Sequence, residues 1–490
     1  MYGGLRIRAR RLGIGHWPIV VLLALFAILY SFSLNSYGMF LWDEAEYASI
    51  GRSVLRGHGF GISGEPNSLR PPILPLAGAL SMLLSGNETD DSVLRGTACG
   101  FALLALLCVY GFAAAAVDRT TGLVAAALLG IAPFFWIFVP YFMCEIPFLA
   151  FFAAAVWFFY FGTYLDRRFF VVSWICWALA FLTRYTASLF LPVIVLFAAL
   201  AWWRGGPQAR QRLWSRAFFL SPLAGLLLLA PWLAREYVTF GNPLAGIKKA
   251  SRQLQDYMPG LSMPWNFYLR DIPFMLSLEI AALFVAGVIW AFWKRDRFSL
   301  HNFLVSAVIL TWFSCYRYKE DRMVSSALPF MVAIAAVVLT KAARNLRPWA
   351  RGAVLGGLLA GFFVLNLRLT RPILEHRVTL GYPAFLDAMA FLRANASPDA
   401  MVLGANFPQI HWYSKLRARN IPEENELPEA LQHSEWVVIT NFEPVQKPYV
   451  LPLARLAPRD PTSRESAVFQ DQECFTVVVR SEKLLQWLGR

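Results

Sequence analysis

Three carboxylates crowd into Leu41-Trp42-Asp43-Glu44-Ala45-Glu46-Tyr47-Ala48, directly after the first long apolar run of the chain. Acids at this spacing do one of two things. They can cap a helix lying on a membrane surface, because negative charge is stabilised at a helix N-terminus. They can also supply a general base, with a hard divalent ion (Mg or Mn) as the cofactor such oxygens would hold. On the second reading Asp43 and Glu44 are catalytic, and Asp43 with Glu145 would hold the ion. Glu145 opens a later apolar run in Tyr141-Phe142-Met143-Cys144-Glu145-Ile146-Pro147. An ionisable group at membrane depth is costly, so it marks function unless water reaches it.

Cations recur between apolar runs, as Arg70 before Pro71-Pro72, as Arg184-Tyr185, and as Arg317, Lys319 and Arg322 in Tyr316-Arg317-Tyr318-Lys319-Glu320-Asp321-Arg322. Each could be an interfacial anchor whose long stem reaches out of lipid. Each could equally bind phosphate, for which a guanidinium fork is well shaped. Tyr47 and Tyr185 stand beside these groups as further substrate contacts.

Such residues need a scaffold, and composition says which. The chain has 490 residues, 57% of them hydrophobic and only 16% charged, with a mean hydropathy of +0.48. Soluble domains run near ~45–50% apolar and ~25% charged. The excess must face lipid. At about 20 residues per crossing, the apolar runs make about eleven transmembrane helices. The net charge of +14 sits between those runs, where it meets anionic lipid; no nucleic-acid-binding signature accompanies it. Basic loops such as Arg204–Arg216 and Lys341–Arg351 fall on the side of the N-terminal Arg6, Arg8, Arg10 and Arg11. The positive-inside rule then puts the N-terminus in the cytoplasm and the C-terminus outside it. Arg70, Arg184, Arg317, Lys319 and Arg322 would all lie outside, against that rule, next to the acids. An anionic lipid phosphate meeting a catalytic acid suits this arrangement.

Asp43–Arg56 and Ile73–Leu84 read as surface helices in the first outer loop. After residue 370 the pattern changes to an amphipathic helix over 382–395 and short strands at Met401–Ala405, Trp436–Thr440 and Cys474–Arg480. The expected architecture is an all-α polytopic domain over 1–370 and a small extracytoplasmic α/β domain over 371–490. Six dispersed cysteines without a C-x-x-C pair suggest neither a disulfide framework nor a zinc cluster.

The Asp-Glu-x-x-Tyr-Ala motif resembles that of the GT-C glycosyltransferases, specifically the protein O-mannosyltransferase and aminoarabinose (lipid A) transferase group, families 39 and 83. Arg70-Pro71-Pro72 is similar to that group's basic-Pro-Pro. Glu145 matches its second acidic position. Pro231-Trp232, Gly241-Asn242-Pro243 and the stretch from Arg322 to Pro329 follow in order. The sequence departs where Arg70 replaces the usual Lys, Glu145 the frequent Asp, and Met323 the usual Tyr. The resemblance implies a GT-C fold and an inverting transfer from a polyprenyl-phosphate sugar to a lipid, glycan or protein acceptor. It implies Asp43 as base, Glu44 and Glu145 as positioning or metal-holding acids, and Arg70, Arg184 and Arg322 on the donor phosphate. A prokaryotic inner membrane fits the compact size. A glycan polymerase or ligase using a lipid diphosphate, and a lipid-linked-sugar transporter, are the alternatives the same residues would serve.

Overall fold

A computed structural model describes residues 16–32, 38–39, 41–256, 262–379, 382–441, 449–454, 465–471 and 474–488. The basic residues Arg6–Arg11 lie outside them. The chain forms two compact units. One gathers residues 1–32, 68–74 and 96–373; the other gathers 33–67, 75–95 and 374–490.

The first unit is helical. Among the described residues six helices are long and apolar enough to cross a membrane, or seven if a pair bent by 116° counts as one span. That pair, Phe267–Leu276 and Leu278–Lys294, breaks at Ser277, whose φ of 76° lies in the left-handed region. Shorter apolar helices include Trp17–Ser31, Arg119–Ile131 and Phe169–Phe181.

Burial ranks these helices. Within Glu145–Tyr164 and Asp321–Asn345, 89% and 94% of the apolar stretch is covered by protein, against 11% for Pro348–Ile373. The first two are therefore the centre of the unit, and the last is left largely uncovered by protein. The centre is packed with rings: Phe159 meets Phe170, Phe190 and Phe197 edge-on, the favoured geometry for aromatic pairs. Gly162 lets the Phe169–Phe181 helix approach, since a Cβ there would come within 2.6 Å of the Phe170 ring. Polar residues lock helices together where lipid offers no partner. Trp157 Nε1 donates to Asn302 Oδ1 at 2.9 Å, and Asn366 Nδ2 donates to the Ile131 carbonyl at 2.9 Å.

The second unit contains the helix Trp42–Leu55, a hairpin of β1 (Gly61–Ile62) and β2 (Glu65–Pro66), most of the helix Ile73–Ser85, and a five-stranded sheet. The sheet strands are β3 (Met401–Gly404), β4 (Arg417–Arg419), β5 (Trp436–Thr440), β6 (Ser466–Gln470) and β7 (Phe475–Arg480), in the order β4-β3-β5-β7-β6. β3 runs parallel to β4 and β5; β5, β7 and β6 pair antiparallel. Successive side chains in a strand point to opposite faces, and both faces are buried here. Val402, Trp436, Val438 and Val478 pack on one side with the helix Pro383–Asn395; Leu403, Val437, Ile439, Val477 and Val479 pack on the other with Leu427 and Leu484. The helix and the three strands expected over 382–480 are present. β4 and β6 were not anticipated: Arg-Ala-Arg carries little apolar signal, and the apolar run of Ser-Ala-Val-Phe-Gln is only three residues long.

Candidate functional site

In the first unit the central helices begin with charge. Glu145 is the first residue of Glu145–Tyr164 and is 1% exposed. Its Oε1 accepts from Arg184 Nη1 at 2.8 Å. Arg184 is extended and precedes the short 3-10 helix Tyr185–Leu189, so its side chain leaves the chain where the Phe169–Phe181 helix has just ended. Tyr185 donates its hydroxyl hydrogen to the Ser68 carbonyl at 2.9 Å, and Ile73 N donates to the Leu182 carbonyl at 2.9 Å. These two bonds fasten the half-buried Arg70 and its prolines to the loop that carries Arg184.

The other central helix is led by a 3-10 turn, Asp321–Ala327, which packs against Glu145–Tyr164. Arg322 pairs with Glu320 through Nε and Oε2, and the Tyr318 hydroxyl also donates to Glu320. Lys319 behaves differently. It is 2% exposed, and its ammonium donates to the carbonyls of Met263 (3.1 Å) and Tyr316. Two of its three donors are given to backbone. Arg317 is exposed, and its carbonyl accepts from Met263 N at 3.0 Å.

A further acid in this unit went unassigned in the sequence. Glu236, 1% exposed, accepts from Arg235 Nη1 at 2.5 Å and from Gly246 N at 3.2 Å. Arg235 in turn lies over the Trp232 and Phe240 rings, 5.1 and 5.3 Å from their centroids. Glu236 and Gly246 line a small pocket with Phe181, Tyr185, Trp232 and Ile247. The signal was available in Pro231-Trp232, but nothing in the sequence ties Glu236 to a residue ten positions on. Glu320 was likewise read only as one charge of a mixed run.

In the second unit, the helix Trp42–Leu55 sorts its three acids. Glu44 is buried and folds back to accept from Leu41 N at 3.1 Å, so it caps the helix that carries it. Glu46 is buried and accepts from Asn67 Nδ2 at 2.7 Å. Tyr47 is buried, while Asp43 is half-exposed in the first turn. Of the three acids, Asp43 is the least buried. Arg52, further along the helix, is 2% exposed; burial pulls its guanidinium down to about 10, which leaves it cationic at neutral pH.

Among the described residues no group of three His, Cys, Asp or Glu side chains is arranged to hold a metal ion. Glu145 is engaged by Arg184, Glu46 by an amide and Glu44 by a backbone N–H. This donor set does not fit a resident ion.

A family model described as dolichyl-phosphate-mannose-protein mannosyltransferase matches residues 69–234. An undecaprenyl phosphate-alpha-4-amino-4-deoxy-L-arabinose arabinosyl transferase of Pseudomonas fluorescens is 25% identical over 421 residues, which are 79% of this chain and 68% of that one. The crystal structure of ArnT from Cupriavidus metallidurans bound to undecaprenyl phosphate superimposes with a TM-score of 0.72 at 16% identity, covering 95% of this chain and 98% of that one. The chain has the GT-C, ArnT-like fold. The GT-C fold is shared more distantly with the Archaeoglobus fulgidus oligosaccharyltransferase in complex with Zn and sulfate, at a TM-score of 0.59 and 14% identity over 86% of this chain and 67% of that one. The family-model match begins one residue before Arg70 and ends just after Trp232. It therefore spans Glu145, Arg184 and Tyr185, and this chain is a multi-pass membrane glycosyltransferase.

Proposed function

We propose that this enzyme transfers a sugar from a polyprenyl-phosphate donor to a hydroxyl of a lipid, glycan or protein acceptor, with inversion, on the extracytoplasmic face of a prokaryotic inner membrane. The observation that carries this reading is the Glu145–Arg184 pair at the head of a buried helix, with Arg70 fastened to the same loop. Arginine at membrane depth is expensive, and a set of guanidinium groups suits an anion that arrives within the lipid. The arabinosyl transferase relative and the undecaprenyl-phosphate-bound ArnT support the same donor class. About eleven crossings fit if the bent pair, Trp17–Ser31, Arg119–Ile131, Phe169–Phe181 and Arg297–Ser314 are counted with the six long helices and Ile73–Ser85 is kept as a surface helix. The N-terminus is then cytoplasmic and the C-terminus extracytoplasmic.

In this mechanism the Asp43 carboxylate takes the proton of the acceptor hydroxyl. The acceptor oxygen bonds to the anomeric carbon from the face opposite the phosphate, and the bond from that carbon to the phosphate oxygen breaks. The electron pair leaves on the phosphate, where Arg70, Arg184 and Arg322 stabilise it. Placed charge of this kind is worth roughly 3–4 kcal/mol per donor in a water-poor site, and a general base adds ~10²–10⁴-fold. Glu145 orients Arg184. The divalent ion expected on Asp43 and Glu145 gains nothing from the donor set, and side chains alone carry these steps.

The test is an assay in lipid nanodiscs with a panel of polyprenyl-phosphate sugars and a membrane extract as acceptor, following released polyprenyl phosphate. Release by the wild type that falls by ~10²–10⁴-fold in folded Asp43→Asn is the expected result. Release untouched by Asp43→Asn removes the base assignment. No release from any donor, with turnover of a lipid diphosphate instead, overturns the donor class.

A further inference from the structure

Three consecutive residues of the C-terminal chain, His411-Trp412-Tyr413, grip the segment that carries Asp43 at both ends. Downstream of Asp43, Arg52 donates through Nη2 to the His411 carbonyl at 2.9 Å and through Nη1 to the Trp412 carbonyl at 3.0 Å, and it lies 4.4 Å from the centroid of the Trp412 ring. Upstream, Met39 N donates to the Tyr413 hydroxyl oxygen at 2.5 Å. The Tyr413 hydroxyl passes its own hydrogen to Asp91 Oδ2 at 2.5 Å, and Trp412 Nε1 donates to Asp91 Oδ1 at 2.8 Å. Next to Asp43 itself, the Trp42 ring meets Phe407 edge-on at 5.1 Å. Phe407 opens the helix Phe407–Ser414 that ends in the same three residues.

All of these groups belong to the second unit. Arg52 follows Asp43 by nine positions, so the two stand about 13–14 Å apart along one helix at 1.5 Å per residue. A rigid rod held at both ends fixes its first turn. Trp42 alone would leave the helix free to turn about its own axis, and the Asp43 side chain, standing off that axis, would swing with it; the Arg52 clamp removes that freedom. The arrangement is expensive to keep without purpose, because burying a guanidinium costs several kcal/mol before its bonds repay it. A leucine at residue 52 could fill the same space.

We infer that Arg52, clamped by the His411 and Trp412 carbonyls, is a positioning residue that aims Asp43, and that the C-terminal sheet layer is thereby part of the catalytic apparatus. The inference rests on Asp43 being the base. Misplacement of about 1 Å costs on the order of 10²-fold in rate. Arg52→Lys keeps the charge but loses the two-pronged bond; Arg52→Met loses both. Trp412→Phe keeps the carbonyl clamp and loses the Asp91 bond.

The experiment is a double-mutant cycle in nanodiscs, with single-turnover release of polyprenyl phosphate from a saturating donor as the readout. Expected are losses of about 10-fold for Arg52→Lys and about 100-fold for Arg52→Met, with donor KM unchanged. On an Asp43→Asn background, Arg52→Lys should cost nothing further, since no base is left to aim. Should Arg52→Met fail to fold, Arg52→Lys carries the cycle, with Trp412→Phe, which keeps the clamp, as the control expected to hold its rate. Full rates in the folded Arg52 variants, or an equal loss with and without Asp43, overturn the inference while leaving the base reading intact. Full activity of Asp43→Asn alone overturns the base reading instead, and is recognisable as such.

Discussion

Tyr185 spans from the Arg184 loop to the Ser68 carbonyl at 2.9 Å, and Gly246 leaves it room to do so. A Cβ at Gly246 would stand 2.2 Å from the Tyr185 hydroxyl and 2.3 Å from the Ser68 oxygen. Gly246 is therefore required by close approach, since neither neighbour is free to retreat. Gly246→Ala should break the Tyr185–Ser68 bond and loosen Arg70. We expect donor KM to rise several-fold. Tyr185→Phe should do the same more mildly, at about 1 kcal/mol for one lost hydrogen bond. Initial-rate kinetics on both variants decide it; unchanged donor KM in Gly246→Ala would sink the link from Gly246 to Arg70.

The Glu145–Arg184 pair predicts an asymmetry. Removing one partner of a buried pair costs about 3–5 kcal/mol, because the survivor stays buried and uncompensated. Arg184 reaches solvent more than Glu145 does, with side-chain exposures of 20% and 1%. Arg184→Gln, which strands the buried carboxylate, should lower the thermal midpoint more than Glu145→Gln. Both should lose activity. Thermal unfolding in detergent, alongside the release assay, separates the two effects.

Lys319 and Arg322 are three residues apart and should fail in different ways. The Lys319 ammonium donates to the Met263 and Tyr316 carbonyls, while Arg322 is partly exposed beside Glu320. Lys319→Met should cost stability, roughly 1–3 kcal/mol for carbonyls left without donors, with donor KM near that of the wild type. Arg322→Gln should raise donor KM with little loss of stability. The reverse pattern would exchange their roles.

His411 sets a pH window. Burial, with the nearby Arg52 charge, pushes its imidazole from 6.5 down to about 4 in the folded protein, and Nδ1 lies 2.7 Å from the Leu416 carbonyl. A lowered pKa means that between these values the unfolded chain binds a proton the folded chain refuses. Stability is thus unaffected above pH ~6.5 and falls as pH drops from there towards 4, by up to about 1.4 kcal/mol per pH unit. His411→Asn should flatten that decline. Denaturant midpoints at pH 7.5, 6 and 5 for both proteins test it, and parallel slopes would refute it.

Much of the fold was legible because its signals are local. The Trp42–Leu55 helix was expected over 43–56, and Ile73–Ser85 over 73–84, from apolar spacing and a proline at the start. Glu145 stood out in the sequence because a carboxylate between apolar runs has few bland explanations, and the structure buries it against Arg184. Lys319 was misread as one cation among several, since sequence shows a charge and not the carbonyls around it. Arg52 was passed over for the same reason: at the sequence level it is an ordinary basic residue near a helix end, and its partners are about 360 positions away.

By itself the sequence determined a lipid-embedded chain, its acid-rich first loop and the supply of cations between its apolar runs. Hydrophobic transfer and helix periodicity act residue by residue and leave a readable pattern. Only tertiary structure decided how those charges are spent. It gave Glu44 to a cap, Lys319 to backbone carbonyls, Arg184 to Glu145 and Arg52 to His411 and Trp412. The physical reason is that a buried charge takes its meaning from whichever donor or acceptor lies within about 3 Å, and chain separation has no bearing on that distance.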